Sequence, residues 1–301
     1  MAATTVPFRM TGGRLAALVI GVPVCLGLVA GTAFSTVTSF AEGKYPVSYT
    51  APAGTRALTL NVTGQLTIEP TTSSRATLAG TAHYGVVRPT LAEHSSAGAT
   101  TLGYGCDFPE GNCGLDATVT VPATVTTLTA HSGGGNDTVN GTTGALALST
   151  GDGDLSVGHA SGPVALNTDS GSIRVSAVTS PAVTASTGDG DVEATGVTSP
   201  TIAANSNSGN ITGSGIAAAT VNASSGNGDI VITFSAVPQD VHVNTDSGSI
   251  TLVLPKGPTE YNVTANTDSG TVSDAGISKN SSSSHVITAS SGDGNISISQ
   301  Q

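Results

Sequence analysis

Side chains that could do chemistry are concentrated in one recurring phrase. "NTDSGSI" stands at Asn167–Ile173 and again at Asn244–Ile250, and "NTDSGTV" at Asn266–Val272. Asp, Asn and Ser oxygens in such a phrase could ligate a hard cation, pair as acid and base, or turn the chain. Calcium is the first case. "GGGNDTVNG" at Gly133–Gly141 is close to the calcium nonapeptide of β-rolls. Those sites take oxygen ligands from adjacent turns, and the stretch that follows, through "ALALSTGDG", has no matching Asp. We therefore expect no metal site, with Asp137, Asp152 and Asp154 as exposed corner residues. Paired carboxylates are the second case. Stacking could align Asp169, Asp189, Asp191, Asp246 and Asp268, and sugar hydrolysis uses carboxyl pairs about 5–5.5 or 6.5–9.5 Å apart. Sugar-binding pockets are usually apolar and aromatic, yet Phe234 and Tyr261 are the only aromatics after residue 130. The six histidines are scattered and no G-x-S-x-G elbow accompanies them. The glycine-rich stretches lack the Lys of a phosphate loop. We expect no catalytic residues, no cofactor and no enzyme.

The elements that would carry the phrase are legible from its period. Aligned on one glycine, nine units place it at Gly135, Gly153, Gly171, Gly190, Gly209, Gly228, Gly248, Gly270 and Gly294, with spacings of 18, 18, 19, 19, 19, 20, 22 and 24. Apolar residues alternate before the phrase (Val241, Val243) and after it (Ile250, Leu252, Leu254). A period of two marks a strand with one buried face. Asp and Asn can bond their own backbone in a turn, and Gly accepts positive φ, so the phrase reads as strand, corner, strand. One unit cannot bury its own apolar face, but stacked units can. The expectation is all-β: a single-stack parallel β-solenoid, right-handed by the general preference of parallel crossovers, over residues 131–299. A meander with each phrase at a hairpin tip is the competing layout. Stacking is favoured because it explains the near identity of the phrases, whose Asn and Ser side chains would then form ladders.

Upstream, "LTLNVTGQLTI" at Leu58–Ile68 looks like a truncated unit with Gly64 at its corner. Residues 56–130 are read as an N-terminal β cap. Cys106 and Cys113 enclose "DFPEGN". Outside the cell this pair reads as a disulfide closing a loop, with two free thiols as the alternative.

The remaining features set the compartment. Residues 15–41 carry no charge, enough to cross a bilayer core of about 30 Å. Arg9 and Arg14 precede this run, so residues 1–13 would be a cytoplasmic tail, residues 14–37 a transmembrane helix and the rest external. A cleaved signal peptide is the rival, although its apolar region is usually shorter, about 7–15 residues. Residues 38–55 would link the anchor to the cap. Net charge is −11, and residues 131–301 hold 14 acidic but only three basic side chains. That excludes the Lys/Arg footprint a nucleic acid needs.

"ATVTVP" at Ala117–Pro122, followed by stacked S/N-T/S-x-x-G-x-I/V/L phrases, resembles the bacterial extracytoplasmic domains of unknown function labelled "putative adhesin". The resemblance covers Arg56 to Ser299. It implies a β-solenoid-like domain behind an anchor or signal sequence, and it carries no catalytic residues. The expected function is a membrane-anchored, non-catalytic surface protein, structural or adhesin-like, with an unidentified envelope or surface ligand. Tyr84 to Asp116 would be the contact loop, or else a capping loop. An extracytoplasmic sensor or envelope-stress component and a polysaccharide-cleaving enzyme are the alternatives.

Overall fold

The computed structural model describes residues 43–85, 88–105, 113–257, 259–274 and 276–301, and none of these is helical. The transmembrane segment at 14–37 lies outside the described residues. Seven strands precede the regular repeats: β1 (Gly43–Thr50), β2 (Ala57–Val62), β3 (Leu66–Thr71), β4 (Thr77–Tyr84), β5 (Ala92–Ser96), β6 (Ala99–Tyr104) and β7 (Gly114–Pro122). The repeats begin with β8 (Thr127–Ser132), β9 (Asp137–Asn140), β10 (Ala145–Thr150), β11 (Leu155–Gly158), β12 (Val164–Thr168), β13 (Ile173–Ser176), β14 (Val183–Thr187) and β15 (Val192–Thr195). They continue with β16 (Thr198–Ser206), β17 (Ile211–Ser225), β18 (Ile230–Phe234), β19 (Asp240–Thr245) and β20 (Ile250–Leu254). The chain ends with β21 (Asn262–Thr267), β22 (Val272–Ser273), β23 (Val286–Ser291) and β24 (Ile296–Gln300).

Each coil adds one strand to each of two parallel sheets, with the glycine phrase as the corner between them. One sheet stacks β8, β10, β12, β14 and β16 in register, and the other stacks β9, β11, β13 and β15. The 15-residue β17 serves both. Alternate residues point inward, as the sequence period requires. Leu146, Leu148, Leu155 and Val157 are buried, as are Val164, Leu166, Ile173 and Val175 one coil on, all within one core cluster. Four buried aliphatic side chains per coil contribute about 1.5–3 kcal/mol each against chain entropy. The hairpin layout is therefore not what forms: the corners sit one above another.

A second corner closes each coil. Gly141, His159, Ala177, Gly196 and Gly215 occupy it with φ of 72, 53, 49, 62 and 65°. Here the left-handed backbone is real. The phrase glycines are different, which corrects their expected role. A Cβ on Gly153, Gly171, Gly190, Gly209, Gly228 or Gly248 would lie 1.9–2.1 Å from the carbonyl oxygen of the corner glycine one coil earlier. Glycine is needed there for close approach.

The spatial order departs from chain order at both ends. β2 pairs with both β6 and β8, and β3 with both β7 and β9, so the first coil lies between the second and third. β23 pairs with both β19 and β21, and β24 with both β20 and β22, so the last coil lies between the two before it. Ala57–Thr71 is thus a full coil, with Gly64 directly beneath Gly135. Gly43–Thr50, within the stretch read as a linker, forms β1 on the edge of the cap. It runs antiparallel to β4, which runs antiparallel to β7. β5 runs antiparallel to β6 on the other sheet.

Candidate functional site

Two rows of phrase side chains are spent on the stack. Thr168, Thr187, Ser206, Ser225, Thr245 and Ser291 are buried. Each hydroxyl donates to the preceding coil's corner-glycine carbonyl at 2.8–3.0 Å. Each also accepts the N–H of its own corner glycine, three residues on, at 2.8–3.1 Å. The residue after the glycine forms a second row. Oδ1 of Asn136, Asp154, Asp191, Asn210, Asp229 and Asn295 accepts the backbone N–H of the coil stacked on it at 2.7–2.9 Å. These oxygens replace backbone carbonyls that the corner turns away.

The carboxylates considered for acid/base work do not fall in one row. Asp191 belongs to the second row, and Asp189 accepts the Ser208 hydroxyl at 3.0 Å. Asp169 and Asp189 occupy different positions of adjacent phrases. Asp246 and Asp268 occupy the same position, but Gly292 lies between them, which sets their coils roughly 10 Å apart. Among the described residues no three His, Cys, Asp or Glu side chains cluster as metal ligands.

Asp137 contradicts its expected exposure. Its side chain is 1 % exposed and stands in register with Leu155, at a core position. Its carboxylate accepts the Leu66 N–H at 2.9 Å and the Ser132 hydroxyl at 2.8 Å, tying the intercalated first coil to the third. Burial pushes its pKa up to about 6, and the two donors only partly offset this. A donor set of one carboxylate already engaged twice does not resemble a calcium shell of about six to eight oxygens.

The histidines take separate partners. His83 meets Asp116 at 3.1 Å, His159 meets Asn140 at 2.9 Å and His242 meets Asp240 at 3.1 Å. Nδ1 of His285 lies 2.8 Å from the Pro238 carbonyl. His131 contacts Ser149, a nucleophile–base combination by type. It lies on an outward strand face beside Asn61, and Ser149 beside Asn167; neither asparagine is a carboxylate that could orient the imidazole.

The N-terminal cap holds what the repeats lack. On its outer face a groove of about 550 Å³ is lined by Lys44, Gln65, Thr67, Thr81, His83, Asp116 and Thr118, with Ala79 and Gly80 leaving it open. Asp116 is fixed there by His83 and by the Gln65 N–H at 3.3 Å. Such a lining can recognise a polar ligand through hydrogen bonds. On the opposite side, tyrosines of β1 close the end of the core. The Tyr49 hydroxyl donates to Glu93 at 2.5 Å, and Tyr45 donates to the Pro89 carbonyl. Arg88 lies 3.7 Å over the Tyr45 ring, and Tyr84 meets that ring edge-on at 5.8 Å. Burial raises the Tyr49 and Tyr104 hydroxyl pKa values, and the Tyr49 bond lowers that of Glu93. The sequence signal was the "KYPVSY" alternation of β1, read as linker. Within Tyr84 to Asp116, residues 106–112 lie outside the described residues, Cys106 among them; Cys113 packs against the core.

A model of the Toastrack DUF4097 family matches residues 116–299. A solved structure named a "putative adhesin" from Parabacteroides distasonis is similar at 12 % identity, with 86 % of this chain and 97 % of that one covered and a TM-score of 0.51. A "putative adhesin" from Bacteroides fragilis is similar at 14 % identity, 86 % and 97 % coverage and a TM-score of 0.46. A protein named a "putative lipid binding protein" from Parabacteroides distasonis is similar at 12 % identity, 85 % and 96 % coverage and a TM-score of 0.46. Likeness at such identities concerns the fold. No curated protein matches the chain.

Proposed function

Since the chain belongs to the Toastrack DUF4097 family, we propose that it is a membrane-anchored surface protein whose repeats form a rigid spacer and whose N-terminal cap makes the contacts. The observation that carries this reading is the use of the phrase side chains: the buried Thr and Ser hydroxyls and the carboxylates of Asp154, Asp191 and Asp229 are bonded to the neighbouring coil. The spacer is acidic and right-handed. One span at 14–37 holds it, with the N-terminal tail cytoplasmic and the rod outside. A Cys106–Cys113 disulfide closes the loop between β6 and β7. Loops and clefts on a rigid scaffold are where recognition usually resides, and the cap holds four of the five tyrosines, at 45, 49, 84 and 104.

External protease applied to intact cells should remove the rod and spare the N-terminal tail; protection of the rod would refute the topology. Deleting Gly105–Gly114 should abolish attachment of the displayed protein to its surface ligand with the far-UV spectrum unchanged. Undiminished attachment would rule the loop out.

A further inference from the structure

The corner phrases are of two kinds, and they alternate in space. Thr150, Thr187, Ser225 and Ser291 are followed by Gly-Asp-Gly or Gly-Asn-Gly; Thr168, Ser206, Thr245 and Thr267 by Asp-Ser-Gly or Asn-Ser-Gly. Strand pairing gives the stacking order 150, 168, 187, 206, 225, 245, 291, 267, which alternates without a break. Chain order would set the two Asp-Ser-Gly phrases of 245 and 267 against each other.

Each kind requires the other as its neighbour. A Cβ on Gly188, Gly226 or Gly292 would lie 2.2–2.3 Å from the backbone oxygen of Asp169, Asn207 or Asp246 beneath it. An Asp-Ser-Gly coil therefore admits only a coil that has glycine at that position. In return, the Gly292 carbonyl accepts the N–H groups of both Asp268 and Ser269 at 3.0 and 2.9 Å. The coil of β21 and β22 carries Asp268 where glycine is needed, so it cannot close directly onto β19 and β20. With the last coil withdrawn, the rod has no way to reseal itself using the next coil in sequence.

We propose that this slot is a recognition site for a Gly-Asp-Gly coil, and that it takes the C-terminal coil of a second copy of this chain as well as its own. Residues 274–285 connect β22 to this coil. The other coils with glycine at that position, at Gly151, Gly188 and Gly226, stack in chain order, whereas Val286–Gln300 is inserted out of it, between two coils that precede it, which marks it as the coil that can be donated. A hinge of this length holds the chain's own coil at an effective concentration in the mM range, so the single closed chain dominates in dilute solution. Exchange takes over where copies are crowded, and swapping identical elements is a low-cost route to pairing. The inference rests on the stacking geometry and stands apart from the surface-protein reading.

The test uses two full-length variants, Asn244→Cys and Ser290→Cys, refolded together in mild detergent. Asn244 and Ser290 are exposed register partners on adjacent strands, within disulfide reach. The expected result is a disulfide between the two introduced thiols, at positions 244 and 290, joining two chains. The share of chains so joined should rise about tenfold per tenfold rise in chain concentration, as a two-body exchange requires. Asn244→Cys with Asn266→Cys should give no such product, because those coils lie two steps apart, roughly 10 Å. Adding Gly292→Ala to the Ser290→Cys copy should abolish the product. No inter-chain link between positions 244 and 290 at any concentration would overturn the proposal. So would an equal yield from Asn244→Cys with Asn266→Cys, or a product that survives Gly292→Ala.

Discussion

Replacing Gly209 with alanine tests the claim that the phrase glycine exists for close approach between coils. Gly209 is mid-rod, and the added Cβ would meet the Gly190 oxygen at 2.0 Å and its carbon at 2.4 Å, both backbone atoms. Relief requires the two coils to separate by about 1 Å, and overpacking of that kind costs about 1–3 kcal/mol. The same movement strains the bond that spans the two coils, from the Ser206 hydroxyl to the Gly190 carbonyl at 2.9 Å. At about 1 kcal/mol for that bond, the total is about 2–4 kcal/mol. Gly134→Ala is the control, since its Cβ would meet nothing within 4 Å. Urea denaturation followed by far-UV circular dichroism reads the difference, and amide exchange over 206–230 localises it. Because coils contact only their neighbours, the loss can also appear as a transition split in two. If Gly209→Ala unfolds within about 0.5 kcal/mol of Gly134→Ala, a spread usual for innocuous surface changes, the close-approach account is wrong.

Three further outcomes are expected. Asp137 has its folded pKa raised from 3.8 to about 6, so the stability tied to its neutral form is complete below about pH 4 and is lost as pH rises through 6, by about 2–3 kcal/mol. Asp137→Asn should therefore stabilise the protein at pH 7.5 and change little at pH 4.5, and a pH-independent effect would remove burial as the cause. Ala177, at φ 49° between His159 and Gly196 in the second corner, should gain about 1 kcal/mol as glycine, read as a raised denaturation midpoint; destabilisation would mean the left-handed corner is not strained. EDTA should leave the melting temperature unchanged, and a fall would restore calcium to the Gly133–Gly141 segment.

The period-two alternation of Val241, Val243, Ile250 and Leu252 was enough to place strands, inward faces and corners, because side-chain direction follows directly from the pleat. The reason for the glycines was not legible. Positive φ is a property of one residue and can be guessed locally, whereas the 2.0 Å approach at Gly190 is a property of two successive coils. Asp137 was misplaced for a related cause. Its neighbours Asn136 and Thr138 are exposed, and nothing local announces that a coil from far upstream presents the Leu66 N–H. β1 was missed because its partner β4 begins only at Thr77, beyond a whole intervening coil. "KYPVSY", with a proline in it, reads as an edge or a linker.

The order of the last coils was, by contrast, written in the sequence as a fault in its rhythm. Outward residues facing away from the core at the end of one strand run Ser149, Asn167, Ser186, Asn205, Ser224, Asn244, and then Asn266 before Ser290. The phrases slip at the same place, where two Asp-Ser-Gly coils follow each other. A solenoid that simply continued would give no reason for both to fail together. Intercalation repairs both at once, since Ser290 pairs with Asn244 on one side and Asn266 on the other. The glycine spacing lengthens over the steps from Gly248 to Gly270 and from Gly270 to Gly294, because the connections must pass over a coil and return. The drift that resembled loosening of the repeat is the length needed to place the C-terminal coil inside the stack, where both of its edges are bonded and the exposed end is left to β21 and β22.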